Sequence, residues 1–237
     1  GDTAGTTGGG TTGGGTTGGG TPGGGTGTDT TIEALQTHGK SSNCNPSGIE
    51  NVLDGLVIRG AIVTGGQFVA HKESMLDGYT ISSEAGGANN GIQLTIAQEL
   101  GIKLAVGEKV DVWGEYMEFY CNSQFRATKV EKTGTADVPA ASVVEGSVMA
   151  AAATAEPYEG VLVKVENVEV TEVTQFDYTV TGGAKVGHKY SPGYNAKVGD
   201  KFDSITGVVL FAFEAYVIHP RDGSDLAGLT EGEAVPS

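Results

Sequence analysis

One pattern occurs twice in this chain: Val106-Gly107-Glu108-Lys109-Val110, and again Val198-Gly199-Asp200-Lys201-Phe202. In each copy a lone glycine follows inside an otherwise apolar run, Gly114 in the first and Gly207 in the second. Upstream, Asp54-Gly55 opens an apolar run, and Tyr158-Glu159-Gly160-Val161-Leu162-Val163 matches it. A repeated order of such segments with different loop lengths is the mark of a duplicated unit. A chain of 237 residues then holds two small domains rather than one large one.

The segments read as strands. Residues 51–63 form an apolar stretch interrupted by Gly60, where a bulge or sharp bend fits. Residues 67–71 read as a second strand, and Gly91-Ile92-Gln93-Leu94-Thr95-Ile96 alternates with period two as a third. Residues 97–100 read as a short helical turn. A fourth strand opens at Val106 and a fifth runs from Gln124 to Val130. In the second half, residues 175–180 are matched to 67–69.

About five strands in about 90 residues suit a small closed barrel, and closure removes exposed edges. Gly60, Gly114 and Gly207 are the positions where long strands bend to close the sheet. The alternative, an immunoglobulin-like sandwich, wants seven strands with regular hairpin spacing. The expected fold class is all-β: two tandem OB-like five-stranded barrels behind an extended Gly/Thr-rich N-terminal tail. The expected domains are a tail at 1–30, barrel one at 31–142 and barrel two at 143–237. The apolar stretch Val148 to Ala153 is expected to pack rather than hang in solvent.

The tail repeats with a period of five. Thr6, Gly8, Gly9 and Gly10 belong to the first unit, Thr11, Gly13, Gly14 and Gly15 to the second, and Thr16, Gly18, Gly19 and Gly20 to the third, with Pro22 in a fourth. It has no apolar face at any period and lacks the three-residue glycine period of collagen. Extended, about thirty residues reach ~100 Å, beyond the width of one small barrel. This reach is the basis for reading the tail as the element that contacts neighbouring copies.

The formal net charge is −15, with 29 acidic against 14 Lys and Arg residues. Binding to phosphate backbones draws on clustered Lys and Arg, so this balance speaks against nucleic acid and against anionic membranes. No apolar run approaches the ~20 residues of a membrane span. The Thr/Gly leader, scarce Lys and two cysteines fit an exported chain whose signal has been removed, placed outside the cell or at its surface. Cys44 and Cys121 form the expected disulfide.

The run Gly86 to Leu94, then Val106 to Val110, then Gly114 to Phe119, resembles OB-like domains of secreted bacterial lipoproteins, of the kind found beside endonuclease/exonuclease/phosphatase and lamin-tail domains. The second copy carries the pattern in Val198 to Phe202, Ile205-Thr206-Gly207 and Ile218-His219-Pro220-Arg221. The resemblance covers roughly residues 50–228 and implies the fold and export. It supplies no catalytic residue.

Hydrolase signatures such as Gly-x-Ser-x-Gly and His-Glu-x-x-His are missing, as is a P-loop. His38, His71, His188 and His219 are scattered, and each reads as a surface or packing residue. No enzyme, cofactor or metal is expected. The weak calcium candidates are the loop Glu84 to Asn90 and the pair Asp222 and Asp225. Trp113, Tyr116, Phe119, Tyr120 and Phe125 in barrel one, and Phe211, Phe213 and Tyr216 in barrel two, read as core and interface packing. The functional expectation is a self-assembling filament subunit whose partners are copies of itself. The alternative is a tethered module for a glycan or surface protein, and the third reading is an accessory nucleic-acid domain.

Overall fold

A computed structural model describes residues 27–38 and 48–232. The Thr/Gly repeat and Cys44, and with them the assembly-tail expectation, lie outside these residues.

Barrel one contains β1 (Thr28–Thr30), α1 (Ile32–His38), β2 (Ile49–His71), β3 (Leu76–Ser82), β4 (Gly91–Ala97), β5 (Glu108–Phe119) and β6 (Asn122–Thr135). The strands run β1-β2-β3-β4-β6-β5, and β5 pairs back onto β2, closing a ring of five with β1 added outside. Within the ring only β4 and β6 are parallel. Barrel two contains β7 (Ser142–Val143), α2 (Gly146–Ala150), α3 (Ala152–Ala155), β8 (Leu162–Val173), β9 (Asp177–Val180), β10 (Lys185–Gly187), β11 (Lys201–Ala212), β12 (Ala215–His219) and β13 (Leu226–Ala227). Its ring, β8-β9-β10-β12-β11 and back to β8, follows the same order, with β10 and β12 parallel. The fold is therefore all-β, with two OB-like units in tandem.

The duplication reaches further back than the repeated motif. In each unit a short strand pairs parallel to the first ring strand, β1 on β2 and β7 on β8, and a helix follows. Thr31 caps α1 through its Oγ1, which accepts from the Ala34 amide at 3.1 Å. Ile32 and Leu35, three residues apart, face the first core, so the helix seals one end of the barrel. β1 begins at Thr28 and β7 at Ser142, three residues and one residue before the expected boundaries at 31 and 143.

Tyr79, Tyr116 and Phe125 fill barrel one, and Tyr178, Phe202 and Ile205 fill barrel two, all with almost no exposed surface. Burying one such side chain contributes ~1.5–3 kcal/mol. Of the apolar stretch Val148 to Ala153, Met149 is buried in the second core and Val148 packs against it, while residues 150–153 are exposed; Ala155, just beyond, is also buried in that core.

Two strand assignments from the sequence change. Residues 51–63 and 67–71 belong to one strand, β2, because Gly65-Gly66 is an irregularity in its pairing with β3 rather than a turn. The second ring strand is Leu76–Ser82, whose residues alternate in Tyr79-Thr80-Ile81-Ser82 although every one of them is buried. Its counterpart is β9, so residues 175–180 match β3, not 67–69.

The three glycines do different things. Gly60 has φ +62° and sits at a register shift between β2 and β5. Gly114 also sits at a register shift, and a Cβ there would lie 2.0 Å from the Arg126 carbonyl oxygen. Gly207 keeps regular register with β8, contrary to the expected bend. Its missing Cβ instead admits the backbone of His219, 2.6 Å from the Cβ position, where β12 joins β11.

The barrels meet directly. The Ser123 amide of barrel one donates to Glu159 Oε1 at 3.0 Å, and Arg221 Nη1 donates to the Thr64 carbonyl at 3.3 Å. The Tyr190 ring packs edge-on against Phe68 with centroids 5.5 Å apart. A Cβ on Gly91 would lie 2.2 Å from the Gly160 oxygen, so the close approach of these two backbones requires glycine.

Candidate functional site

The turns joining the fourth and fifth ring strands are the most informative feature of the surface. Each is a two-residue hairpin: Tyr120-Cys121 between β5 and β6, and Phe213-Glu214 between β11 and β12. Both central residues have positive φ in each turn, 51° and 67° in the first, 51° and 62° in the second. That is the type I′ conformation, which ordinarily takes Asn-Gly or Gly-Gly. A bulky L-residue held there costs roughly 1–2 kcal/mol. In both barrels the first strained position carries an aromatic ring, and both rings are offered to solvent: Tyr120 is 48% exposed and Phe213 99%.

The turns joining the first and second ring strands repeat the theme. Met75 and Phe176 project from them, also exposed. Phe176 is propped by Thr174, whose Oγ1 accepts from the amides of Phe176 and Asp177, each at 3.1 Å. These two loop positions are the ones through which OB-folds hold oligonucleotides and oligosaccharides. The packing role expected for Tyr120 and Phe213 is thus corrected, while Trp113, Tyr116 and Phe125 are core residues as expected.

The tips converge. A cleft of about 630 Å³ opens between the barrels, walled by His71, Phe119 and Tyr120 on one side and by Lys189, Phe211 and Phe213 on the other. A second cleft of about 390 Å³ lies beyond Phe213 and reaches Phe176 and His219, with Lys189, Ala212 and Phe213 lining both. The aromatic wall is held by ring contacts, His71 to Phe119 at 4.3 Å and Phe119 to Tyr120 at 4.6 Å.

The first cleft has a polar floor on β4 and β6, formed by Gln93, Asn122 and Gln124. Asn122 Nδ2 donates to Gln93 Oε1 at 3.0 Å. The other amide atom, Asn122 Oδ1, is buried without a hydrogen-bond partner among the described residues, and so are Gln124 Oε1 and His71 Nε2. His71 and Gln124 are close enough for Gln124 to pull the imidazole pKa upward, yet neither atom reaches good hydrogen-bond geometry. Leaving such groups unsatisfied costs about 1–3 kcal/mol each.

Electrostatically the cleft is nearly neutral. Burial lowers the His71 pKa, so this ring is uncharged at neutral pH. Burial also drives His219 down to about 3. Lys189 stands over the Phe68 ring at 4.7 Å and makes no ion pair among the described residues. The surrounding walls lower its pKa while leaving its surface open to solvent. Three of the histidines that the sequence scatters, His71, His188 and His219, therefore gather around one lysine.

Cys121 is disulfide-bonded, and the sequence holds one other cysteine, Cys44, outside the described residues. The weak calcium candidates have protein partners: Arg221 forks both oxygens of Asp225 at 2.8 Å, Asp222 accepts from the Ser224 amide, and Glu84 pairs with Lys109. Among the described residues no three His, Cys, Asp or Glu side chains come together as metal ligands. No helix among them is long and apolar enough to cross a membrane.

No family model matches the chain, and no curated protein matches it. Among solved structures, the Ifi202 HINa domain in complex with a 20-bp double-stranded DNA is 14% identical, covering 73% of this chain and 94% of that one with a TM-score of 0.34. A murine DNA-binding protein bound to double-stranded DNA is 12% identical, covering 72% and 90% with a TM-score of 0.37. The expectation of an extracellular filament subunit, partnered by its own copies and excluding nucleic acid, is corrected: both neighbours hold DNA, and neither is a filament subunit by its description. With TM-scores under 0.5 the likeness assigns no ligand to this chain.

Proposed function

We propose that this chain is a non-catalytic binding module that holds single-stranded nucleic acid by stacking bases on its aromatic loop tips. One observation carries the reading. Two equivalent turns, in two copies of the same barrel, each hold an aromatic ring in a strained conformation, and both rings line one cleft. Strain that recurs at the same place in a duplicated unit and displays the same kind of side chain belongs to a site rather than to packing. Rings presented singly and edge-supported suit bases that are free to splay apart, which a duplex keeps stacked. The cysteine in the first tip, tied by its disulfide, fits an oxidising compartment.

The acidic surface shapes how such binding works. With Lys189 as the cation between the tips, affinity comes from stacking, about 1–3 kcal/mol per base, and little from phosphate neutralisation. Each neutralised phosphate contributes a salt slope of about −0.7 for a single strand, so the slope here should be shallower than about −2.

The test is fluorescence anisotropy with a labelled mixed-sequence oligonucleotide of about twelve nucleotides, within the reach of two OB units. Tyr120→Ala and Phe213→Ala should each weaken binding by about 5- to 100-fold, while thermal unfolding stays within a few degrees of wild type. Equal binding by the wild type and by both of these variants would overturn the proposal. So would binding of an oligosaccharide, with the same aromatic dependence, by a protein that ignores oligonucleotides.

A further inference from the structure

From the floor of the cleft we infer that it selects bases carrying an amino group where thymine and uracil carry their 4-carbonyl, namely adenine and cytosine, over thymine and uracil. This rests on the stacking reading above and adds the chemistry of the base edge. The aromatic tips discriminate little, because every base offers a π-face. Discrimination has to come from the polar atoms beneath them.

Asn122 is fixed in one orientation, since its Nδ2 donates to Gln93 Oε1 at 3.0 Å. That leaves Oδ1 as an acceptor without a partner. Gln124, 1% exposed, places Oε1 in the same situation two residues along β6. Alternate residues of a strand share a face, so both carbonyl oxygens belong to the same floor. A base edge entering beneath Tyr120 and Phe213 thus meets acceptors, and it needs donors. An exocyclic N–H₂ supplies two. The carbonyl at the corresponding corner of thymine or uracil would set oxygen against oxygen. His71 Nε2, neutral at ordinary pH, can donate or accept and so adapts to the neighbouring ring atom. A site whose buried polar groups are satisfied only by the right ligand rejects the wrong one more strongly than an apolar pocket does.

The experiment compares oligo-dT with oligo-dC and oligo-dA of equal length on the full chain. Both amino-bearing strands should bind at least fivefold more tightly than oligo-dT. Equal affinities for all three would overturn the inference and leave the stacking reading standing, whereas no binding to any of them would overturn both. Gln124→Met removes the acceptor at similar size. It should reduce the dC-to-dT ratio to below twofold, by weakening oligo-dC and by relieving the oxygen-against-oxygen contact with oligo-dT. A variant that weakens both strands equally would also overturn the assignment.

Discussion

His219 closes β12 opposite Val208, with 7% of its surface exposed. Its Nδ1 accepts from the Lys189 amide at 3.4 Å, so the folded protein holds a neutral ring. A Cβ on Gly187 would come within 2.4 Å of Cε1, which shows how tightly the imidazole is enclosed. Burial first, then the charges of Lys189 and His188, lower its pKa from 6.5 to about 3, against a smaller upward pull from a Gly187 hydrogen bond. On acidification the unfolded chain takes the proton first. Stability from this residue is therefore complete well above pH 6.5, falls as pH drops below that value, and stops falling below about pH 3. The linkage amounts to about 2 kcal/mol at about pH 5 and about 4–5 kcal/mol at the acid limit. Against a typical domain stability of about 5–15 kcal/mol that is a large share. Urea unfolding at pH 7 and pH 5 measures it. His219→Asn keeps an acceptor for the Lys189 amide and removes the titration, so its stability should fall about 2 kcal/mol less than wild type between those two pH values. The lowered His71 contributes in the same direction in both proteins and cancels in the comparison. Equal pH slopes, or an imidazole resonance that titrates near its ordinary value, would refute the argument.

Gly114→Ala should cost about 1–3 kcal/mol, read as a lower urea midpoint, because the Arg126 carbonyl cannot retreat from a Cβ 2.0 Å away without breaking the β5–β6 pairing. Asp225→Ala leaves Arg221 without its two-pronged partner at the barrel interface, and should cost about 1–3 kcal/mol and speed proteolysis between the barrels. In the wild type, limited proteolysis should spare residues 146–155, whose Met149 and Ala155 are buried.

How much of this was legible in the sequence depends on what each residue's pattern reports. The paired Val-Gly-acid-Lys motifs marked the start of the fourth ring strand, because Gly107 and Gly199 both need positive φ ahead of it. The second ring strand was legible in the alternation Tyr79-Thr80-Ile81-Ser82, but Asp77-Gly78 within it reads locally as a turn. The candidate site hid for a different reason. Tyr120 and Phe213 stand beside Phe119 and Phe211 in the chain, and composition cannot tell a ring on a turn from a ring in the core. The signal was in the spacing: each falls at the hinge between two strand-like runs, where turn chemistry asks for Asn or Gly and finds an aromatic instead. The polar floor needed the topology, since Gln93 and Gln124 are brought side by side by the parallel β4–β6 pairing.

The most direct test of the central claim exchanges turn chemistry for function. Replacing Phe213 and Glu214 together (Phe213→Asn with Glu214→Gly) supplies the residues that a type I′ turn prefers and removes the ring. If the aromatic is kept for binding at the expense of the fold, the double variant unfolds about 1 kcal/mol later than wild type and loses at least about fivefold in affinity for a single-stranded oligonucleotide. A variant that is no more stable and binds as tightly as wild type would contradict the account.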